Sequence, residues 1–181
     1  MVFKPFNYSK VTHKSYKNDA KSTLQIEMPD HTGNVYYPSG RLSILISNMS
    51  NTNKIYSIFS DESHSSLLAQ FDTDGNAFCN YANGKLRYEI NTQGGINFDL
   101  SGKLIKKWSW PFDSHDVVFH PIIFVLNEHI SVQILGRTKI YLNFRSKHGC
   151  IRFSVGSKVK LNVIWWISSR LYSIFTRSNR F

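Results

Sequence analysis

Glycine recurs at intervals of about nine residues in the central part of this chain, between residues 71 and 110. These glycines are Gly75, Gly84, Gly94, Gly95 and Gly102. A seven-residue pattern, which begins with an aromatic residue and has glycine at its fifth position, occurs at 36–42 (YYPSGRL), 71–77 (FDTDGNA) and 98–104 (FDLSGKL). A short period restricts the fold strongly, because each repeat must form the same local structure. The period predicts a meander of antiparallel β-hairpins.

The residues within each pattern match a tight turn. Tyr37, Asp72 or Asp99 takes the first position of a type I turn, and the glycine three residues later takes the left-handed conformation of a bulge. Asn83-Gly84 instead predicts a two-residue type I′ turn, in which both central residues have positive φ. Together these turns predict the following facing pairs: Phe71–Ala77, Ala69–Cys79, Tyr81–Leu86, Cys79–Tyr88 and Ala77–Ile90.

This register divides the side chains of three strands between two faces. We expect one face to be buried, and its side chains are Leu67, Ala69, Phe71, Ala77, Cys79, Tyr81, Leu86, Tyr88 and Ile90. The opposite face is a candidate exposed sheet face, formed by Asn80, Lys85, Arg87 and Glu89 with Phe78 as an apolar exception. A register shift of one residue would exchange the two sets, since side chains alternate along a strand.

Alternating apolar residues predict further strands on both sides of this region. They lie at 42–46, 55–59, 130–134, 140–144 and 151–155, and the last three form a second meander. The run VVFHPIIFVL at 117–126 is almost continuously apolar, which predicts a strand covered on both sides, with a break or a sheet edge at Pro121. We therefore expect an all-β fold, an antiparallel meander of hairpins arranged as an open curved sheet or as a sandwich.

The ends of the chain differ from this β-meander domain, which we place at residues 33–156. Residues 1–32 are polar and lysine-rich and predict a basic N-terminal arm, within which Leu24, Ile26 and Met28 alternate as a short strand. Residues 157–181 form a basic, aromatic C-terminal segment. Its spacing fits an amphipathic helix or an unordered end equally well.

Positive charge is concentrated in the last third of the sequence. The formal net charge is +10, and no Asp or Glu follows Glu128. Such asymmetry predicts contact with an acidic partner, such as a tubulin-like protein surface, an acidic domain, nucleic acid or anionic lipid. A solvated face that balances an acidic region elsewhere is the alternative. The candidate contact residues are Arg137, Lys139, Arg145, Lys147, Arg152, Lys158 and Lys160.

The sequence also bears on the cellular compartment. Its N-terminus lacks the apolar core of a secretory signal, and no run approaches the roughly 18 to 20 apolar residues of a membrane span. Two cysteines, Cys79 and Cys150, do not suggest a disulfide framework. We therefore expect an intracellular protein.

Residue patterns typical of catalysis or metal binding are absent from the sequence. His148-Gly149-Cys150 is the nearest approach to a ligand pair, but a metal site needs further convergent ligands. The loop that begins at Asp72 resembles a calcium loop, yet Asn83 stands where the bidentate glutamate is required. No nucleophile elbow or phosphate-binding loop is present. We expect no catalytic residue, no cofactor, no metal and no small-molecule substrate.

Two family resemblances rest on short motifs. NYANGKLRYE at 80–89 resembles half of a MORN repeat, although the second regular glycine of that repeat is missing. Residues 33–155 resemble the conserved domain of the glutamate-rich protein 6 family in YPSG (37–40), IYS (55–57), LLAQF (67–71), residues 81–91, Gly94-Gly95 and WSW (108–110). The second resemblance implies a non-enzymatic module associated with testis, in a cilium or sperm flagellum, and hence a cytoplasmic or cytoskeletal location.

Three functions remain as alternatives. The first is a non-catalytic structural or protein-interaction module, a component of an axonemal assembly with acidic, tubulin-like partners. The second is nucleic-acid binding at a patch of Tyr141 with Lys139, Arg145 and Arg152, because basic strands with exposed aromatics suit single-strand stacking. The third is contact with an anionic membrane through the C-terminal segment. Protein interaction is favoured over the other two.

Overall fold

A computed structural model describes residues 11–16, 19–50, 53–111, 119–147 and 149–157 of the protein. Within these residues the chain forms only strands and connecting turns. The strands are β1 (Thr12–Tyr16), β2 (Asp19–Glu27), β3 (Gly33–Tyr36), β4 (Leu42–Asn48), β5 (Lys54–Phe59), β6 (Leu67–Asp72), β7 (Ala77–Asn80), β8 (Leu86–Ile90), β9 (Gly94–Phe98), β10 (Leu104–Ser109), β11 (Ile122–Val125), β12 (Ile130–Gly136), β13 (Lys139–Arg145) and β14 (Cys150–Ser154).

These strands form two antiparallel meanders in chain order. The large sheet contains β1 to β10, and the small sheet contains β11 to β14. Neither sheet closes into a barrel in the described part of the chain, so each keeps two edge strands. The all-β meander predicted from the sequence is confirmed. No helix in the described residues has the length and apolar character of a membrane span, and the C-terminal helix considered above lies outside these residues.

The hairpin turns at Tyr37, Asp72 and Asp99 have the predicted geometry. In the second of them, the Gly75 amide donates to the Asp72 carbonyl oxygen (3.4 Å) and the Asp72 amide donates to that of Asn76 (2.9 Å). The glycine of each turn has positive φ, as this turn type requires: Gly40 (84°), Gly75 (102°) and Gly102 (87°).

The turn at Asn83-Gly84 differs from its prediction. The Tyr81 carbonyl oxygen accepts from Gly84 N (2.9 Å), and the Tyr81 amide donates to Lys85 O (2.8 Å). Only Gly84 in this turn has positive φ (79°), so the turn belongs to the same four-residue class as the others. The predicted two-residue type I′ turn was wrong.

A register shift follows from this turn. Cys79 pairs with Tyr88 as predicted, but Asn80, not Tyr81, pairs with Leu86, and Arg87 is the extra residue between the two pairs. Such a bulge reverses the alternation of side chains on either side of it. Leu86 is therefore exposed and Arg87 turns towards the core side. A second register shift, on the β6 strand, buries Leu68 in place of the predicted Leu67.

The small sheet packs across one face of the large sheet, which decides between the two predicted arrangements in favour of a sandwich. Tyr88 stacks on Phe124 with ring centroids 4.1 Å apart. The ring centroids of Tyr56 and Phe153 lie 5.7 Å apart. The core between the sheets includes Val35, Tyr37, Ile44, Ile58, Ala69, Phe71, Cys79, Ile90, Ile130, Val132, Ile134, Ile140, Leu142 and Phe144.

The large sheet begins before the predicted domain boundary at residue 33. Strands β1 and β2 lie within the segment assigned to the N-terminal arm, and they pair with each other and with β3. The Tyr16 hydroxyl donates to the carbonyl oxygen of Tyr36 (2.6 Å). Leu24 contacts Gly149 so closely that a Cβ added at Gly149 would lie 2.6 Å from Cδ2 of Leu24. This N-terminal hairpin is therefore part of the sandwich.

Candidate functional site

The outward face of the small sheet carries three of the seven predicted acidic-partner residues. Inward side chains of β13 are Ile140, Leu142 and Phe144, so the alternating residues between them point outward. Lys139, Arg145 and Arg152 all lie on this outward side and are exposed. Together with the half-buried Tyr141 they form one surface, which we call the basic face. The structure thus brings together the patch that the sequence analysis singled out.

Arg152 is held in place on the basic face. It lies opposite Asn143 in the β13–β14 ladder, and its Nε donates to Asn143 Oδ1 (2.7 Å). Its guanidinium carbon lies 5.3 Å from the centroid of the Tyr141 ring, which is within cation–π distance. One face of the Tyr141 ring is therefore covered by Arg152.

Two other predicted residues lie in turns at opposite ends of the small sheet. Arg137 is half-buried in the β12–β13 turn, and its Nε is buried without a hydrogen-bond partner among the described residues. Its carbonyl oxygen accepts from the Ser157 amide (3.0 Å). Lys147 is exposed in the β13–β14 turn. Lys158 and Lys160 lie outside the described residues, as does the rest of the C-terminal segment beyond Ser157.

The small sheet itself is free of carboxylates. None of β11 to β14 contains Asp or Glu, and Glu128 in the β11–β12 loop lies 3.5 Å from His129 Nε2. Apolar Ile123 and Val125 are exposed by 65% and 58% on the same outward side. The sequence predicted that this strand would be covered on both sides, but it is covered on one. The basic face therefore has an apolar border along β11.

The predicted exposed sheet face does not form one surface. Glu89 is exposed, Asn80 donates to Leu67 O (3.2 Å), and Lys85 donates from its turn to Leu100 O (3.0 Å). Arg87 lies on the other side, where its Nη1 donates to the carbonyl oxygen of Val125 (2.9 Å). Its guanidinium lies 5.0 Å from the ring centroid of Phe124. Because of the register shift, Arg87 joins the two sheets and does not belong to an exposed face.

A groove of about 590 Å³ lies on the uncovered face of the large sheet, across β5 to β8. Phe78, Leu86 and Met49 supply apolar walls, and Glu89 and Asp72 supply carboxylates. The sequence predicted Phe78 to be an apolar exception on this face and Leu86 to be part of the core. The exception at Phe78 was the available signal of this groove.

The two cysteines differ in their exposure. Burial raises the pKa of the Cys79 thiol, so this cysteine is unreactive in the folded protein. Cys150 is exposed at the start of β14. Within the described residues, no group of three or more His, Cys, Asp or Glu side chains could hold a metal ion. The arrangement offers charge and shape for binding.

Comparison with known protein families identifies a match that spans the described sheets. The family model described as FAM194 protein matches residues 9–174, which is most of the chain. This match corrects the resemblance to the glutamate-rich protein 6 family given above, because the model that covers the chain is FAM194. The comparison with solved structures finds no match.

Proposed function

The chain belongs to the FAM194 family, and from the charge of its small sheet we propose that it is a non-catalytic protein-interaction module. In this proposal the basic face binds an acidic surface of a partner protein. The observation that carries it is the placement of Lys139, Arg145 and Arg152 on one exposed face of a sheet without carboxylates. Complementary charge accelerates association and selects partners.

The partner is proposed to be a protein, and nucleic acid is less favoured. Single-strand binding depends on bases that stack on open aromatic rings. Arg152 already covers one face of Tyr141, the aromatic residue at the centre of the basic face. Arginine aligned by Asn143 instead suits bidentate recognition of a carboxylate. Exposed Ile123 and Val125 add the apolar contact that protein interfaces use at their centre.

A cytoskeletal location is part of the same proposal. Acidic polymers such as tubulin assemblies present the charge that the basic face would recognise, and a cilium or flagellum contains many such surfaces. The support for this location is charge complementarity alone, since the family match names no compartment. Tagged protein that remains evenly distributed in ciliated cells would contradict the location without contradicting acidic binding.

Co-sedimentation with microtubules tests the proposal. The wild-type protein should pellet at low ionic strength and be released by salt, because exposed charge pairs are screened. The double variant Lys139→Glu/Arg152→Glu should lose most of this binding. A matched control, Lys106→Glu/Lys107→Glu, makes the same charge change on exposed β10, outside the basic face. Equal loss in both double variants, or no sedimentation of wild type at low salt, would contradict the proposal.

A further inference from the structure

Two cavities meet at one end of the basic face. The first, of about 370 Å³, lies against β13, β14 and the β11–β12 loop, and Asn143 and Arg152 line it. The second, of about 700 Å³, lies between the N-terminal hairpin and the β13–β14 turn, and Lys14 and Lys147 line it. Arg145 and Cys150 line both cavities. The two cavities therefore adjoin, and we call them together the basic groove.

Four cationic side chains line the basic groove: Lys14, Arg145, Lys147 and Arg152. None of the four belongs to a salt bridge within the described residues. Glu128 is the one carboxylate among the described residues that line the groove, and it lies beside His129. Cationic side chains therefore outnumber carboxylates in both parts of the groove, and low-dielectric walls focus the field of such charges.

Lys14 comes from the other sheet. It lies opposite Gln25 in β2 and donates to Gln25 Oε1 (3.2 Å). Gln25 faces Val35 in the next strand, and Val35 is fully buried in the core. Lys14 thus lies on the side of the large sheet that faces the small one, where it overhangs the β13–β14 turn. The contact of Leu24 with Gly149 holds these two walls together.

We propose that the basic groove takes a linear acidic peptide segment of the partner protein. This inference rests on the proposed function and adds the form of the ligand and a second wall, the N-terminal hairpin. Small-molecule pockets are mostly apolar with few polar groups, whereas four lysine and arginine side chains line this groove. Charges distributed along two adjoining cavities match carboxylates distributed along an extended chain, which advances about 3.3 Å per residue.

Cys150 provides a direct probe of occupancy. It lines both cavities and is exposed, whereas Cys79, the other cysteine, is fully buried. A thiol reagent should therefore modify Cys150 alone in the native protein. A glutamate-rich synthetic peptide at about ten times its Kd should slow this modification about tenfold by mass action. A glutamine-rich peptide of the same length should leave the rate unchanged.

The variant Lys14→Glu tests the contribution of the N-terminal hairpin. It should weaken binding of the glutamate-rich peptide about fivefold to tenfold, since one favourable pair is replaced by a repulsive one. Lys107→Glu, with the same change of net charge on exposed β10, is the control and should bind within about twofold of wild type. Unchanged circular dichroism of both variants excludes unfolding as the cause.

The outcomes separate this inference from the proposed function. Suppose that Lys139→Glu/Arg152→Glu weakens peptide binding, but the peptide does not protect Cys150 and binds Lys14→Glu as tightly as Lys107→Glu. This combination overturns the groove as the binding site and leaves the basic face as the binding surface. No binding of the glutamate-rich peptide at low ionic strength overturns the groove, and failure of microtubule co-sedimentation as well overturns both. Stronger protection of Cys150 by a single-stranded oligonucleotide than by a peptide of equal charge assigns the groove to nucleic acid and overturns the peptide ligand.

Discussion

Tyr37 joins the two sheets through its hydroxyl group, and the variant Tyr37→Phe isolates that contribution. The hydroxyl donates to the carbonyl oxygen of Phe59 (2.6 Å) and accepts from Asn127 Nδ2 (2.7 Å), 90 residues away in the chain. The Tyr37 ring is fully buried, and it lies 5.9 Å from the ring of Phe144. Phenylalanine keeps this ring packing and removes both hydrogen bonds.

The expected loss is about 2–3 kcal/mol of unfolding free energy. A buried group left without its hydrogen-bond partner costs about 1–3 kcal/mol. Both partners contribute to this loss, because the Phe59 carbonyl and the Asn127 amide each lose one hydrogen bond. Tyr81→Phe is the matched control, because its hydroxyl makes one bond, to Phe98 O (2.9 Å), at a half-buried position. That control should cost about 0.5–1.5 kcal/mol.

Urea unfolding followed by tryptophan fluorescence measures both variants, with unchanged m-values as the sign that only stability has changed. A double-mutant cycle of Tyr37→Phe with Asn127→Ala should give a coupling energy of about 1 kcal/mol, because the cycle cancels the other contacts of Asn127. This prediction is refuted if Tyr37→Phe lowers the unfolding free energy no more than Tyr81→Phe does and the cycle shows no coupling energy. In that case the hydrogen bond between Tyr37 and Asn127 does not hold the sheets together.

Three further predictions concern packing and pH. Gly95→Ala would place a Cβ 2.2 Å from Cζ2 of the rigid Trp108 ring, so urea unfolding should show a loss of about 1–3 kcal/mol in unfolding free energy. The control Gly136→Ala, which has open space around the added Cβ, should leave the unfolding free energy nearly unchanged. Arg87→Lys should lower the unfolding free energy by about 1 kcal/mol in the same assay, because lysine cannot keep both the bond to the Val125 carbonyl oxygen and the planar contact with the Phe124 ring. An unchanged unfolding free energy would argue against a role of Arg87 in linking the two sheets. Burial, followed by the negative charge of Asp61, raises the pKa of Tyr16 from 10.0 to about 12. The contribution of Tyr16 to the unfolding free energy should therefore be constant below about pH 10 and be lost as the pH rises towards 12, so that Tyr16→Phe shows a shallower fall in stability over this range.

Much of the large sheet could be predicted from local turn chemistry. An aspartate or tyrosine three residues before a glycine specifies the turns at Tyr37, Asp72 and Asp99, since the glycine takes positive φ without strain. Alternation of apolar residues then specifies which side chains of a regular strand pair are buried. For this reason Ala69, Phe71, Cys79 and Ile90 are where the sequence placed them.

Local chemistry failed where two turn types compete for the same residues. Asn-Gly is compatible with a type I′ turn and with a type I turn followed by a bulge. Which of the two turns forms depends on the pairing of the strands that the turn connects. In this protein β7 and β8 pair with a bulge. A single extra residue then exchanges Leu86 and Arg87 between the faces. The groove beside Leu86 and the link from Arg87 to Val125 both result from that exchange.

The sequence alone determines that this chain forms hairpins with an apolar side and carries its excess charge after Glu128, where no acidic residue follows. These properties depend on neighbours in the chain, through φ preferences and side-chain alternation. The tertiary structure decided which faces meet. The small sheet packs on the apolar side of the large sheet. As a result Lys14 of the first hairpin lines the same cavity as Arg145 and Lys147 of the β13–β14 hairpin. Residues so distant in sequence become neighbours only through burial of the shared core, which no local pattern records.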